Sequence, residues 1–361
     1  MLQNDGDASD YWFNNYRVIA AANLAIESGL DQEGADGDLV KFYTGQAYAL
    51  RAIAHFSLLQ KFGQQFVTGG TLGVPYVSQS VGSDYKPARE SISDNYASLI
   101  EDLKMAISLM DPTLNPIDKS FLNSDAVNGI LGRVYLYNKD YANAVTYSEA
   151  AIAGGDYTLL AKDDYFDSWA LTKTDSKEVL FQLGFNANEQ LNTTSIGYIY
   201  QDEGYGDLEI TSDLIGVYAA ADVRGDFIVG GRNYGKYADL QGNNPIPVIR
   251  YSEILLNIAE AKFNINNADT DALDIINLIS STRGGLAYAN LSLDNVLLER
   301  RKELAFEGFR FFDLARNGRD ITSIPGESDF DTQPYGSYTF AFPIPQNELE
   351  ANSAMEQNEG Y

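Results

Sequence analysis

Residues 299–318 read ERRKELAFEGFRFFDLARNG and combine arginines, glutamates and phenylalanines in one stretch. Glu299, Glu303 and Glu307 are four residues apart, so a helix places them on one face. Arginines stand three residues before the second of these glutamates and three residues after the third. The pattern predicts one helix over residues 293–315 that carries a partly buried ion-pair network packed by aromatic rings. Such a network fixes one packing arrangement more than it adds net stability.

The same glutamates raise a catalytic alternative, which requires a pair of carboxylates facing a cleft. Each glutamate has a cationic neighbour within reach along the helix. This pairing favours the structural interpretation, and we assign no catalytic residue.

Helical periodicity recurs along much of the chain. Trp12, Tyr16, Ile19 and Asn23 follow helical spacing and predict a helix over residues 11–29. A second predicted helix carries one apolar stripe made of Tyr43, Ala47, Leu50, Ala54, Leu58 and Phe62. The predicted helices after the first span residues 40–62, 91–110, 124–137, 141–153, 250–264 and 272–282.

Two of these helices carry a tetratricopeptide-like pattern. Leu131, Gly132 and Tyr135 lie in the first helix, and Ala144 and Ala151 lie in the second. The small residues let two antiparallel helices approach closely, and the tyrosine fills the gap between them. Helix pairs that cannot bury their faces alone must stack on one another, so the pattern predicts a helical repeat layer.

The middle third of the chain, residues 154–247, loses the helical period and is rich in Gly, Asn, Asp and Tyr. One short strand is predicted at Val179–Leu183. Residues 320–361 contain several prolines and predict an extended tail. We therefore expect a mainly α fold with little β: one domain over residues 1–361, a helical repeat layer and a long, irregular insert. The layer is predicted to comprise residues 11–62, 91–153 and 250–316.

Composition excludes several classes of function. With 51 acidic and 25 basic residues the net charge is −26, which repels nucleic-acid phosphates and anionic lipid headgroups. The chain has no cysteine, so disulfides, thiolate zinc sites and cysteine nucleophiles are absent. Residues 1–10 lack the basic and apolar regions of an export signal. We expect either a cytosolic protein or a sequence that starts after a removed export segment.

The single histidine, His55, lies between Ala54 and Phe56 on an apolar helix. The sequence contains no GxSxG motif whose serine could form a catalytic triad with this histidine, so we expect a packed or capping histidine. The acidic clusters at residues 5–10 and 31–38 lack the spacing of a calcium loop and predict solvated turns. We expect neither a metal nor a cofactor.

Aromatic residues in irregular segments are the best candidates for ligand binding, because aromatic planes stack on the CH faces of sugar rings. Packing of the insert onto the helical layer explains these rings equally well. Aspartates at positions 163, 164 and 167 allow a glycosidase as a weak alternative, since an acidic chain contains many accidental carboxylate pairs. The candidate ligand-binding residues are Trp169, Tyr198, Tyr200 and Tyr205, with Tyr76 and Tyr85 as weaker ones.

Taken in chain order, five further segments carry a resemblance to a known family. They are residues 45–63 (GQAYALRAIAHFSLLQKFG), 125–159, 177–183 (KEVLFQL), 249–264 (IRYSEILLNIAEAKFN) and 342–349 (FPIPQNEL). Together with residues 299–318 they resemble the SusD/RagB family, which comprises nutrient-binding lipoproteins of the outer membrane in Bacteroidota.

The resemblance implies a non-catalytic protein on the cell surface that captures an oligosaccharide and delivers it to a SusC-like TonB-dependent transporter. It also implies attachment to the outer membrane, facing the exterior, through an N-terminal lipid anchor that this sequence does not contain. A peptide ligand, or an interaction scaffold without its own small ligand, remains an alternative. A hydrolase is the weakest of the alternative hypotheses. Ligand residues vary within the family, so the resemblance transfers none of them.

Overall fold

The computed structural model describes residues 5–169 and 176–361, and residues 170–175 of the predicted insert lie outside the described residues. The fold is mainly α with two small strand pairs, as the periodicity predicts. The strands are β1 (Val179–Leu183), β2 (Ile228–Val229), β3 (Arg232–Asn233) and β4 (Ile246–Arg250). The helices are α1 (Gly6–Ile26), α2 (Gly37–Phe62), α3 (Ile92–Leu109), α4 (Ser124–Tyr137), α5 (Tyr141–Ala153), α6 (Lys162–Tyr165), α7 (Ile196–Tyr200), α8 (Ser212–Ile215), α9 (Tyr251–Ile265), α10 (Thr270–Thr282), α11 (Leu293–Glu303), α12 (Arg310–Arg316) and α13 (Gln346–Ala351).

The chain divides into two compact units. Unit 1 comprises Met1–Asn115, Phe311–Ser323 and Asp329–Tyr361, and unit 2 comprises Pro116–Arg310 and Ile324–Ser328. The predicted single domain over residues 1–361 therefore stays a prediction.

Unit 1 is built on α1, α2 and α3. Trp12 and Ile19 of α1 are buried as their spacing predicts. The predicted apolar stripe of α2 is partly wrong, because Tyr43 and Leu50 are exposed. The other four residues of the stripe are buried, and the helix also buries Phe42 and further residues outside it, since both α1 and α3 pack against it.

The tetratricopeptide-like pair forms α4 and α5 with the predicted bounds. Gly132 lies where a side chain would collide with Ser148 of the facing helix, so glycine lets the two helices approach closely. Ala144 and Ala151 are fully buried in the contact. Asn138 follows α4, and Lys139 turns the chain with a φ of 61°. The pair is one part of unit 2.

Helices α9, α10 and α11 share a core in unit 2. Leu256 and Ala259 of α9, Ile276 and Ile279 of α10, and Val296 of α11 are buried in one cluster. The predicted strand Val179–Leu183 is confirmed as β1 and pairs antiparallel with β4. The second pair, β2 with β3, is a short hairpin.

The predicted continuous helix over residues 293–315 is wrong. Helix α11 ends at Glu303, and α12 begins at Arg310. Between them Phe306 and Gly308 have φ angles of 68° and 80°, a left-handed conformation that a helix does not continue through. The predicted extended tail is interrupted by the short helix α13.

Across residues 5–169 and 176–361, no helix combines the length and apolar character that crossing a membrane requires.

Candidate functional site

The glutamates of the 299–318 stretch lie in a buried charge network in unit 2. Glu303 is fully buried, and its carboxylate accepts hydrogen bonds from Arg224, Arg250 and Arg283. Burial raises the pKa of Glu303, but the three guanidinium groups outweigh it and hold the pKa well below 4.5. Tyr165 also donates its hydroxyl to this carboxylate at 3.2 Å. Glu303 is therefore an ion-paired core residue.

Glu307, in the turn after α11, extends the network. Arg250 donates to both of its carboxylate oxygens at 2.7 Å, and Lys236 donates at 2.6 Å. Lys236 is fully buried, and burial lowers its pKa to about 8 despite the carboxylate beside it.

The other partners also come from distant parts of the chain. Glu299 pairs with Arg224 at 2.6 Å, and Arg300 lies 3.5 Å from Glu260 of α9. The expected ion-pair network is present, but long-range partners replace several of the neighbours expected along the helix. Its carboxylates are buried and matched by cations, which makes the network a poor candidate for an active site.

Trp169 lies against this network. Its ring packs edge-on to Tyr237 with the centroids 5.3 Å apart, and the ammonium of Lys236 lies 4.7 Å from its centroid. The indole Nε1 is buried and has no hydrogen-bond partner among the described residues. The cavity beside the ring has a volume of about 30 Å³, room for one water molecule. In the described residues Trp169 takes part in the packing of the insert.

Tyr198 and Tyr205 form an aromatic pair in unit 2, in which Tyr198 is half-buried and Tyr205 is exposed. Helix α7 starts at the cap Ser195, whose hydroxyl accepts from the Tyr198 amide. A tight turn then brings the chain back, and the Tyr205 amide donates to the Tyr198 carbonyl at 2.7 Å. The two rings meet edge to face with their centroids 4.8 Å apart. Tyr205 is 56% exposed, so the pair offers an aromatic surface to solvent.

Glycines shape this turn. A side chain at Gly204 would collide with the carbonyl of Tyr198, and one at Gly197 would approach the carbonyl of Tyr237 to 2.7 Å. Gln201 donates its amide to the carbonyl of Ala238 at 2.8 Å. The turn is therefore held firmly against the following segment of the insert.

Polar groups lie in and beside the turn that joins Tyr198 to Tyr205. Arg232 of β3 donates to Asp202 at 2.9 Å, and the hydroxyl of Tyr234 donates to Glu203 at 3.0 Å. One nitrogen of Arg232, Nη1, is buried without a hydrogen-bond partner in the described part of the chain. Aromatic faces beside carboxylates and a guanidinium can take both the CH faces and the hydroxyl groups of a sugar.

Tyr200 lies on the same short helix but makes a different contact. Its ring packs edge-on to Phe306, with the centroids 5.6 Å apart. Burial raises the pKa of its phenol. Tyr200 therefore joins the insert to the turn between α11 and α12.

Tyr76 of unit 1 is only 8% exposed. Its ring stacks on His55 at 3.8 Å, and its hydroxyl donates to Asp102 at 2.6 Å. His55 accepts the Val77 amide at Nε2, while Nδ1 faces the Arg51 carbonyl at 2.9 Å. Burial lowers the pKa of His55 to about 3, so it is neutral at ordinary pH. The expectation of a packed histidine is confirmed.

Tyr85 lies at a groove of about 310 Å³ in unit 1. One wall is the face of α1 that carries Tyr16 and Leu24, and the other is the irregular segment that follows Tyr76. Tyr16 donates its hydroxyl to the Pro75 carbonyl at 2.9 Å, which ties the two walls together.

Sequence reasoning missed several residues at these two places. Arg232 of the β2–β3 hairpin and Tyr234 after it bond to the turn between Tyr198 and Tyr205, and the Gly230-Gly231 turn between the strands was the available signal. Leu24 and Glu348 line the groove, and nothing in their local sequence marks them. The aspartates at 163, 164 and 167 are exposed. No group of three or more His, Cys, Asp or Glu in residues 5–169 and 176–361 is arranged to hold a metal.

Comparison with known proteins identifies the family. A SusD family model matches residues 226–361, and a second model, described as starch-binding associating with outer membrane, matches residues 1–136. SusD-like protein P2 of Formosa agariphila is 26% identical, over the whole of this chain and 82% of that protein.

Solved structures agree in fold. A putative sugar binding protein from Bacteroides vulgatus ATCC 8482 is 29% identical with a TM-score of 0.90, over 100% of this chain and 87% of that one. Surface glycan-binding protein A from Bacteroides thetaiotaomicron, solved in complex with laminarihexaose, shares the fold at 21% identity and a TM-score of 0.78, over 96% and 85% of the two chains. Its likeness concerns the fold alone. With both ends of the sequence matched by models of one family, this chain belongs to the SusD/RagB family.

Proposed function

We propose that this protein captures an oligosaccharide on the surface formed by Tyr198 and Tyr205, without catalysing its breakdown. The observation that carries the proposal is the exposed ring of Tyr205 packed edge-on to the half-buried Tyr198. Asp202 and Glu203 lie in the turn between them, and Arg232 donates to Asp202. Tyrosine faces supply apolar contact with the sugar ring, and the charged groups supply hydrogen bonds to its hydroxyls. Family membership and the glycan complex of a fold relative support the same class of ligand.

Absence of catalysis is part of the proposal. Glycoside hydrolysis requires two carboxylates on either side of the scissile bond, one of them a proton donor. Glu303 and Glu307 are buried in ion pairs, and their lowered pKa values oppose proton donation at neutral pH. By family analogy, the bound glycan passes to a SusC-like TonB-dependent transporter while the protein is lipid-anchored at the outer membrane, facing the exterior.

Isothermal titration against a panel of neutral oligosaccharides tests the binding surface. We expect Tyr205→Ala to weaken binding about three- to tenfold, since one aromatic contact contributes about 0.5–1.5 kcal/mol. Tyr43→Ala is the matched control, because Tyr43 is 58% exposed on α2 and lies outside the tyrosine pair. Binding that survives Tyr205→Ala and Tyr198→Ala unchanged would refute the assignment.

Gly204→Ala supplies a second test that retains both tyrosine side chains. The added methyl group collides with the Tyr198 carbonyl, so the turn that positions Tyr205 has to open. We expect weaker glycan binding with little change in the free energy of unfolding, because the turn lies at the surface. Chromatography of the incubated glycan panel checks the absence of catalysis, and cleavage products would reject that part of the proposal.

A further inference from the structure

The groove of unit 1 has the features of a second ligand site. Its volume of about 310 Å³ lies at the lower end of the range for small-molecule pockets. Leu24, Val81 and Tyr85 are 66%, 43% and 45% exposed at its walls. Three large apolar side chains around one concave surface are a feature of ligand grooves.

The polar groups in the walls of the groove largely form hydrogen bonds with other groups of the protein. Asn23 donates to the carbonyls of Val77 and Gln79 at 3.0 Å, and its side-chain oxygen accepts from Arg51 at 2.8 Å. Together with the bond from Tyr16 to Pro75, these contacts hold α1 against the irregular segment. What remains for a ligand is mainly apolar contact.

One charge distinguishes the groove. Among the described residues that line it, Glu348 of α13 is the one that is charged at neutral pH. Its carboxylate accepts from Asn352 at 3.3 Å, which leaves further lone pairs for another donor. Burial raises the pKa of the Tyr16 phenol well above 10, and the charge of Glu348 raises it further. The negative charge of this carboxylate is therefore felt by a side chain that lines the groove.

Two cations near the groove form hydrogen bonds with neutral protein groups. Arg89 is buried and donates to the carbonyls of Gly73 and Phe62 and to the Asn358 side chain. Lys86 donates its ammonium to the Ala351 carbonyl. Both groups keep their positive charge. At Tyr16, which lines the groove, the negative charge of Glu348 nevertheless affects the pKa of the phenol more than the positive charge of Arg89 does. The local charge therefore favours a cationic guest.

We propose that this groove binds an apolar primary amine, with its hydrocarbon body between Leu24, Val81 and Tyr85 and its ammonium against Glu348. A single ring on a short chain supplies an apolar body and one ammonium for the one carboxylate. This ligand class and this site are separate from the glycan surface of unit 2.

Isothermal titration with 2-phenylethylamine as the probe tests the proposal. We expect saturable binding that is about tenfold tighter than for 3-phenylpropanamide or 3-phenylpropanoate, because only the amine is a cation that forms an ion pair with the Glu348 carboxylate. Glu348→Gln retains the acceptor for Asn352 and should remove the preference for the amine. Glu350→Gln, the same change two residues along α13 at an exposed position, should leave it intact.

A second variant tests the location. Ala20 is exposed on α1 and lines the groove, so Ala20→Trp should fill the groove and abolish binding of the amine. The proposal is overturned if the three probes bind within twofold of one another, if Glu350→Gln is as damaging as Glu348→Gln, or if Ala20→Trp binds normally. Displacement of the amine by a neutral oligosaccharide would assign the groove to the glycan and would also overturn it.

Discussion

Glu303 is the residue on which the buried charges of unit 2 converge. Its carboxylate is shared by three guanidinium groups, and its backbone carbonyl accepts from Arg250 and Lys236 at 2.7 Å. Replacing a buried ion pair on both sides is often tolerated, whereas removing one partner leaves an uncompensated charge.

We predict that Glu303→Gln lowers the free energy of unfolding by about 3–5 kcal/mol, because Arg224, Arg250 and Arg283 lose the carboxylate that they share. Urea denaturation measures the change. Glu350→Gln is the control, since its side chain is exposed. A loss below about 1 kcal/mol would mean that the network behaves like a surface ion pair.

The same residue predicts a response to acid. The folded-state pKa values of Glu303 and Glu307 lie below 4.5, because their cationic partners outweigh the effect of burial. The unfolded chain therefore binds more protons as pH falls, so this contribution to stability is complete above pH 4.5 and is lost below it. Urea denaturation between pH 6 and pH 3.5 should show a smaller pH dependence for Glu303→Gln than for the wild type. Equal dependence would contradict the prediction.

At the scale of elements, the contact between α4 and α5 depends on one glycine. In Gly132→Val the first added carbon meets the side chain of Ser148 and comes within 3.0 Å of its backbone nitrogen. We expect a loss of about 1–3 kcal/mol in the free energy of unfolding, since overpacking forces the helices apart. Gly154→Ala is the control, because no atom lies within 4 Å of the added carbon. Thermal and urea denaturation measure both, and similar losses would refute the account.

Local sequence predicted α4 and α5 to the residue but predicted one helix where α11 and α12 are separate. In the tetratricopeptide-like pair, the signals are neighbours in sequence. After α11, the Glu303 carbonyl is taken by Arg250 and Lys236, and the Glu307 amide bonds instead to the Leu304 carbonyl. Distant side chains thus take the carbonyl that a continuing helix would use, and the helical pattern does not reveal them. The local signal for a helix end was Gly308, which has a φ of 80°.

At the scale of the whole molecule, the net charge of −26 provides a test between ligand classes. A neutral glycan bound through tyrosines should keep its affinity within about twofold between about 50 mM and about 500 mM salt, because screening acts on charge pairs. Titration calorimetry with the tightest-binding neutral oligosaccharide checks this. A steep fall in affinity with salt would favour a charged ligand, such as the basic peptide that the acidic composition allows.

The sequence by itself determined the mainly α class, the tetratricopeptide-like pair, the buried histidine and the family, because each depends on periodicity, residue type or the order of segments. It also marked tyrosines in irregular segments as candidates. Only the tertiary structure showed that Tyr76 is buried between His55 and Asp102, whereas Tyr205 is exposed to solvent. The physical reason is that exposure and partner choice depend on residues distant in the chain, which pattern and spacing along the sequence do not encode.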